Sequence, residues 1–335
     1  SSAINWKRKD IKMETFEILA KKNRRRNTKK ILILSIAVVL SFISIYIATR
    51  TVLEKMTEHH MTEVTNFYEN RLQIAYPNIY SNSNIHNTTG FSNLYQLSRF
   101  KDVDGVTVPY DTVTASVGPN LEKIDHVADS VIPTSGVNKN IMAFNAGQRV
   151  KIPLFFNIKN KDETDITPTP SQELPLVSEM KGQLVEVALT FDRPYTYSEL
   201  QSMLPSNLKV NWYWLGTYSN YNTENLNISN IFGFKLTKDD AEYSFDIFKT
   251  HLKNSLKDKH GLTSITTSKG EVYNTKKELE YLNKTFKNLE DCTFSGVILT
   301  GKAENFAQLE EKEWIYASSI GASVPNQPYY KLDKE

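Results

Sequence analysis

The chain has 335 residues, a formal charge of only +2 and a single cysteine, Cys292. One cysteine excludes an intrachain disulfide, so a domain outside a membrane would rest on packing alone, which fits a Gram-positive-like envelope better than a disulfide-rich ectodomain. The small net charge hides an asymmetry: residues 1–30 carry 11 basic and 3 acidic side chains, a net of +8, and the remainder 29 basic and 35 acidic, a net of −6.

Residues 1–30 contain Phe16, Ile18, Leu19 and Ala20 beside a charged flank, a pattern for a short helix too small to be a domain. Seven of the ten residues 21–30 are basic, and the 19 residues Ile31–Thr49 that follow carry no charge. As a helix, that run spans roughly 28 Å, close to the bilayer hydrocarbon thickness. The basic block places residues 1–30 in the cytosol and everything after Arg50 outside. The run is longer than a signal-peptide core, and bulky Tyr46 stands where cleavage after Ala48 would want a small residue, so the reading is an uncleaved anchor. It has no polar face, which argues against a buried core helix. The basic block itself admits three readings: topology determination, contact with anionic lipid at about 1 kcal/mol per basic residue, and nucleic-acid binding.

Residues 50–76 read as an outer helical stalk, with Leu53, Met56, Val64, Phe67 and Leu72 near helical spacing and Pro77 as its stop. Residues 78–93, rich in Asn and Ser, read as a loop. The region 77–160 is β-rich, with strand-like segments at 106–109, 112–117 and 150–156. Residues 161–178, charged and then Thr/Pro-rich, read as a linker. The domain 179–325 follows, with a tail at 326–335.

In that domain Val185, Val187, Leu189 and Phe191 alternate as one face of a strand, residues 192–195 turn the chain, and Thr196 with Glu199 forms a capping box for a short helix. Val210, Trp212 and Trp214 alternate again. Phe294–Leu299 is a strand, Glu304–Glu311 a helix and Trp314–Ile320 a strand, repeating the order. Between these units lie Ile231–Leu236 and two helices, one capped by Thr237 with Ala241, Phe245, Phe248, Leu252 and Leu256 on a face, the other carrying Leu279, Leu282 and Phe286. Two strand–helix–strand units predict an α+β fold, a ferredoxin-like sandwich with helices on one face of an antiparallel sheet.

The search for chemistry is mostly negative: no phosphate loop, zinc cysteine pair, His-Glu-x-x-His or nucleophile elbow occurs. No cofactor and no enzymatic activity are expected. On the stalk, Glu58, His59, His60 and Glu63 form a possible metal cluster, with His59 and Glu63 one turn apart, against the bland reading of a solvated face. Residues 212–221 are rich in aromatics; Trp212 and Trp214 are expected in the core, leaving Tyr213, Tyr218 and Tyr221 nearer solvent as candidate partner contacts. Arg193 beside Asp192 is either a salt-bridged corner or a ligand contact. Cys292, beside an apolar strand, reads as a packed residue.

The run Val185–Leu200, followed by 209–214, resembles the C-terminal domain of the sigma-factor-regulator family, membrane-anchored anti-sigma proteins of Gram-positive bacteria. Residues 231–234, 294–301 and 314–322 fall in the family's order, and Phe16–Thr49 is similar to its N-terminal module. The resemblance implies a negative regulator that holds an alternative, extracytoplasmic-function-type sigma factor at the inner membrane face, with an outer domain sensing or transmitting envelope state. Membrane lipid is the other expected partner, and direct DNA binding is not expected. About thirty cytosolic residues are few against the ~1,600 Å² of a stable interface, so the reading expects chain upstream of Ser1, or a second small membrane protein, to complete the contact. The rival reading is an anchored outer protein that binds cell-wall polymer or a protein partner.

Overall fold

The computed structural model describes residues 2–89, 91–125, 127–137, 140–159, 170–268 and 270–334, and side chains from Met13 onward except those of Asn87 and Thr89. Two compact units emerge, Ser1–Met56 and Thr57–Glu335. One helix, α1 (Ser2–Ile74), contributes to both. Nothing before Pro77 is Gly or Pro, so nothing in the chain interrupts it. In the first unit its apolar side chains are exposed, with Ile33, Phe42 and Tyr46 each more than 60 % accessible. Inside the apolar stretch the Ser41 and Ser44 hydroxyls donate to the carbonyls of Ala37 and Leu40, both at 2.8 Å, so these polar groups need no water. By length and composition this helix fits a single-pass membrane anchor.

The second unit begins with the last turns of α1. The helix ends where Tyr76 and Asn78, flanking Pro77, take positive φ of 60° and 53°. A four-stranded antiparallel meander follows: β1 (Ile79–Thr89), β2 (Ser92–Val103), β3 (Val106–Gly118) and β4 (Leu121–Ile124). The Asn- and Ser-rich stretch is therefore a strand, not the expected loop. It is an edge strand whose pairing with β2 runs from Ile79↔Lys101 to Thr89↔Ser92, and an edge tolerates polar side chains. Asp104 and Gly105, both at positive φ, make the tight turn between β2 and β3. A second sheet contains β5 (Val131–Ser135), β6 (Ile141–Asn145) and β7 (Lys151–Ile152).

The linker expected at 161–178 lies outside the described residues as far as 169. From Ser171 the chain is packed: Ser171 is buried, Gln172 bridges to Ser318, and the short helix α2 (Leu174–Val177) buries Leu174 and Val177. Next come β8 (Gln183–Thr196), α3 (Tyr197–Met203), β9 (Lys209–Trp214), β10 (Gly233–Phe234), α4 (Ala241–Ser255), β11 (Ser264–Thr267), β12 (Gly270–Asn274), α5 (Thr275–Thr285), β13 (Thr293–Lys302) and β14 (Ile315–Pro325). The five-stranded sheet has the order β10-β9-β13-β8-β14, all neighbours antiparallel. The crossover from β8 through α3 to β9 steps over β13, and that from β13 to β14 steps over β8. The fold is α+β, with both expected strand–connection–strand units in place.

Local details differ in three places. Residues 192–195 stay in β8 rather than turning, because Tyr195 and Thr196 pair with Phe294 and Thr293 after a bulge. Thr196 and Glu199 do form the capping box of α3. The cap of α4 is Asp240, which accepts from the Tyr243 amide at 3.2 Å, not Thr237. The connection expected as a helix at 304–311 is a 3-10 segment, Ala303–Leu309.

The five-stranded sheet is covered on both faces. Val185, Val187, Leu189 and Phe191 of β8 pack with Phe245, Phe248 and Leu252 of α4 and Leu279 and Leu282 of α5. Alternate positions face the other way, where Ala188, Trp212, Trp214 and Ile298 meet Phe155, Leu226 and Tyr273. Each fully buried aromatic or aliphatic side chain contributes about 1.5–3 kcal/mol.

Candidate functional site around the stalk helix

Residues 57–74 of α1 are the structural centre of the second unit's meander side. Met61, Val64, Phe67 and Tyr68 pack on Tyr95, Leu97, Val113 and Val117 of β2 and β3. Tyr68 stacks on Tyr95 at 5.6 Å. Arg71 is fully buried: its guanidinium donates to the carbonyls of Ser229 (3.3 Å) and Gly261 (3.1 Å) and lies over the rings of Phe67 and Phe232. Burial presses its pKa down. At the helix end the Tyr76 hydroxyl donates to Asp129 (2.6 Å). Asp129 and Asp111 both accept from Arg99, the latter through two 2.6 Å bonds. This network is buried, and with Asn145 of β6 donating to Asp111 (2.9 Å) it ties the end of α1 to both sheets of the β-rich region.

The stalk candidates separate. His59 is exposed, its Nε2 3.4 Å from Glu63 one turn on. His60 turns inward and its Nδ1 lies 2.9 Å from the Gly118 carbonyl. Glu63 pairs with Lys259, a bond that holds its carboxyl below the usual range. A residue invisible to local sequence reasoning, Glu122 of β4, completes the cluster, and His260 Nε2 sits 2.6 Å from a Glu122 oxygen. His60, Glu63 and Glu122 offer ligand atoms within 4.8 Å of one another.

A groove of about 410 Å³ opens beside the end of the stalk. Tyr76, Tyr80, Phe100, Trp212, Phe234 and Lys235 line it, with the Lys235 ammonium 5.3 Å from the Tyr80 ring centre. It offers aromatic surface and the Lys235 cation.

The partner candidates fall in different places. Arg193 donates to Glu199 (2.9 Å) and the Pro194 carbonyl (3.0 Å), and stacks 3.8 Å from the Tyr195 ring centre, an ion-paired corner. With the Thr196 amide as the largest cause and Arg193 as the next, the Glu199 carboxyl is pulled down to about 2. Tyr213 is buried at 4 % exposure, not near solvent as expected, because the helix layer covers the sheet face opposite the tryptophans. Tyr218 is 53 % exposed beside Tyr281, and Tyr221 is half-buried against Tyr273. Cys292 is buried, and burial pushes its thiol up to about 12.

A layer of buried polar groups joins the meander to the five-stranded sheet. Glu186 of β8 accepts from Lys101 (2.5 Å), Asn78 (2.7 Å) and the Ala322 amide (2.8 Å). Asn211 donates to Asn78 and accepts from Thr300, whose oxygen also receives the Asp104 amide.

Comparison with known families gives two matches: the Sigma factor regulator N-terminal model over residues 17–108, and the Sigma factor regulator C-terminal model over residues 177–322. The first takes in the basic block, the apolar span, the stalk and the β1–β2 hairpin; the second covers the five-stranded sheet. A regulator with a helix that fits a membrane anchor is the class these features define, and the chain belongs to the sigma factor regulator family, whose role is that of an anti-sigma factor. No curated protein and no solved structure matches it. Since Lys101 falls in the first matched region and Glu186 in the second, their ion pair joins the two family modules inside one unit.

Proposed function

We propose that this chain holds an extracytoplasmic-function-type sigma factor at the cytosolic face of a membrane, through residues preceding Ile31, and that its second unit lies outside and transmits envelope state. The observation that carries the reading is the N-terminal family match, which takes in a block with seven basic residues in ten followed at once by an uncharged span. The positive-inside bias supports a cytosolic N-terminus. Anionic headgroups would then lie against the basic residues, and a second small membrane protein would extend the short inner surface. The same helix that carries the span supplies Val64, Phe67 and Arg71 to the second unit's core. A ligand or partner that repacks the groove beside Tyr76 therefore acts on that helix directly.

Affinity capture of the full-length gene product from solubilised membranes tests this. One sigma factor should be recovered, directly or through a small membrane partner, and lost when the segment before Ile31 is deleted. Recovery of no sigma factor would overturn the reading. It would favour the rival, an anchored binding protein for cell-wall polymer or a protein partner, for which the aromatic groove and Tyr218 offer the surfaces.

A further inference from the structure

We propose that His60, Glu63 and Glu122 form a divalent transition-metal site of the zinc class that clamps the stalk helix to the meander. The proposal stands apart from the sigma factor reading. His60 and Glu63 are three apart on one helix, so both side chains leave the same face. β4 brings Glu122 to that face, and one ligand atom each of His60, Glu63 and Glu122 lies within 4.8 Å of the others.

Two further features point to a metal rather than a surface ion pair. A backbone carbonyl can only accept, so in the 2.9 Å contact with Gly118 the His60 Nδ1 donates, and Nε2 is the ring nitrogen left to face an ion. Donation of the second ring nitrogen to a carbonyl is the arrangement that orients a metal-bound histidine and raises its basicity. His260 Nε2, 2.6 Å from Glu122, lies next to the triad and orients the Glu122 carboxylate from behind. One imidazole and two carboxylates balance a dication and supply three nitrogen and oxygen donors of a tetrahedral zinc site, with the fourth position left for water. Glu63, Glu122 and His260 side chains are each about one-fifth exposed, dry enough to favour the charge balance and open enough for an ion to enter. Binding would displace Lys259 from Glu63, and Lys259 is 69 % exposed and free to swing into water.

The site has a mechanical consequence. It joins α1 to the β3–β4 hairpin, with His260 of the loop after α4 held against Glu122. Metal occupancy would tighten the docking of residues 60–63 of α1.

The experiment uses untagged full-length protein in detergent micelles, stripped with chelator and titrated with zinc, with magnesium as control. Thermal unfolding and equilibrium dialysis provide two readouts. One equivalent of zinc should bind, and the transition should rise by about 5–10 °C at a hundredfold excess over Kd. Magnesium should do neither, since it disfavours imidazole ligands. His60→Ala and Glu122→Gln should abolish both effects while keeping a cooperative metal-free transition, and His59→Ala should leave both intact. Absence of a zinc-dependent rise up to millimolar metal would overturn the proposal, as would an unchanged rise in Glu122→Gln.

Discussion

Replacing Lys101 by methionine tests whether the two family modules form one cooperative unit. Lys101 Nζ and Glu186 Oε2 are 2.5 Å apart with both side chains essentially inaccessible. Methionine fills the volume of the aliphatic stem but removes the cation, and Glu186 is left buried with only the Asn78 and Ala322 donors. Removing one partner of a buried pair costs about 3–5 kcal/mol, most of it the desolvation of the stranded charge. At about 2–4 °C per kcal/mol for a unit of this size, the melting temperature of the full-length protein in micelles should fall by about 10 °C. Trp212, Trp214 and Trp314 all lie in the second unit, so tryptophan fluorescence reports the transition. Adding Glu186→Gln removes the stranded charge and should restore about half of the loss, a coupling of about 2 kcal/mol. Strict additivity of the two changes, or a single-variant cost below about 1 kcal/mol, would refute the account. Two separated transitions in the parent protein would refute the premise of one unit.

Further outcomes follow from single residues. Gly261 sits at φ +67°, and a Cβ there would come within 2.3 Å of the Phe67 ring, so Gly261→Ala should lower stability by about 2 kcal/mol or more, read by the same melt; an unchanged melt would contradict the packing described. Asp104 is buried with Oδ2 unpaired, and burial pushes its pKa up to about 6. The folded state thus holds a proton that the unfolded state has released between about pH 4 and 6, so the stability present below that window is lost as pH rises through it. Asp104→Asn should therefore gain about 1–2 kcal/mol over the parent above pH 6 and nothing near pH 4; a gain constant with pH would refute the assignment. Cys292 should resist a thiol reagent at pH 8 in the native protein and react fully on unfolding; rapid native labelling would show that the thiol is open.

Where a signal is local, the sequence by itself determined the outcome. The uncharged run 31–49 lies within one long helix whose length and composition fit a membrane anchor, both of which are legible in the sequence. The capping box at Thr196 and Glu199 and the apolar face Phe245, Phe248, Leu252 also survive intact, because each depends on neighbours within two turns. Cys292 packs as its apolar surroundings suggested. The polar composition of residues 79–89 misled because an edge strand is decided by its partner β2, not by its own side chains. Tyr213 misled because alternation marks two faces of a strand without saying whether both are covered. The groove at Tyr76 and the cluster of His60 with Glu122 and His260 needed the tertiary structure. Their members come from segments tens to hundreds of residues apart, and only the docking of the stalk helix on the meander and on the loop after α4 brings them together.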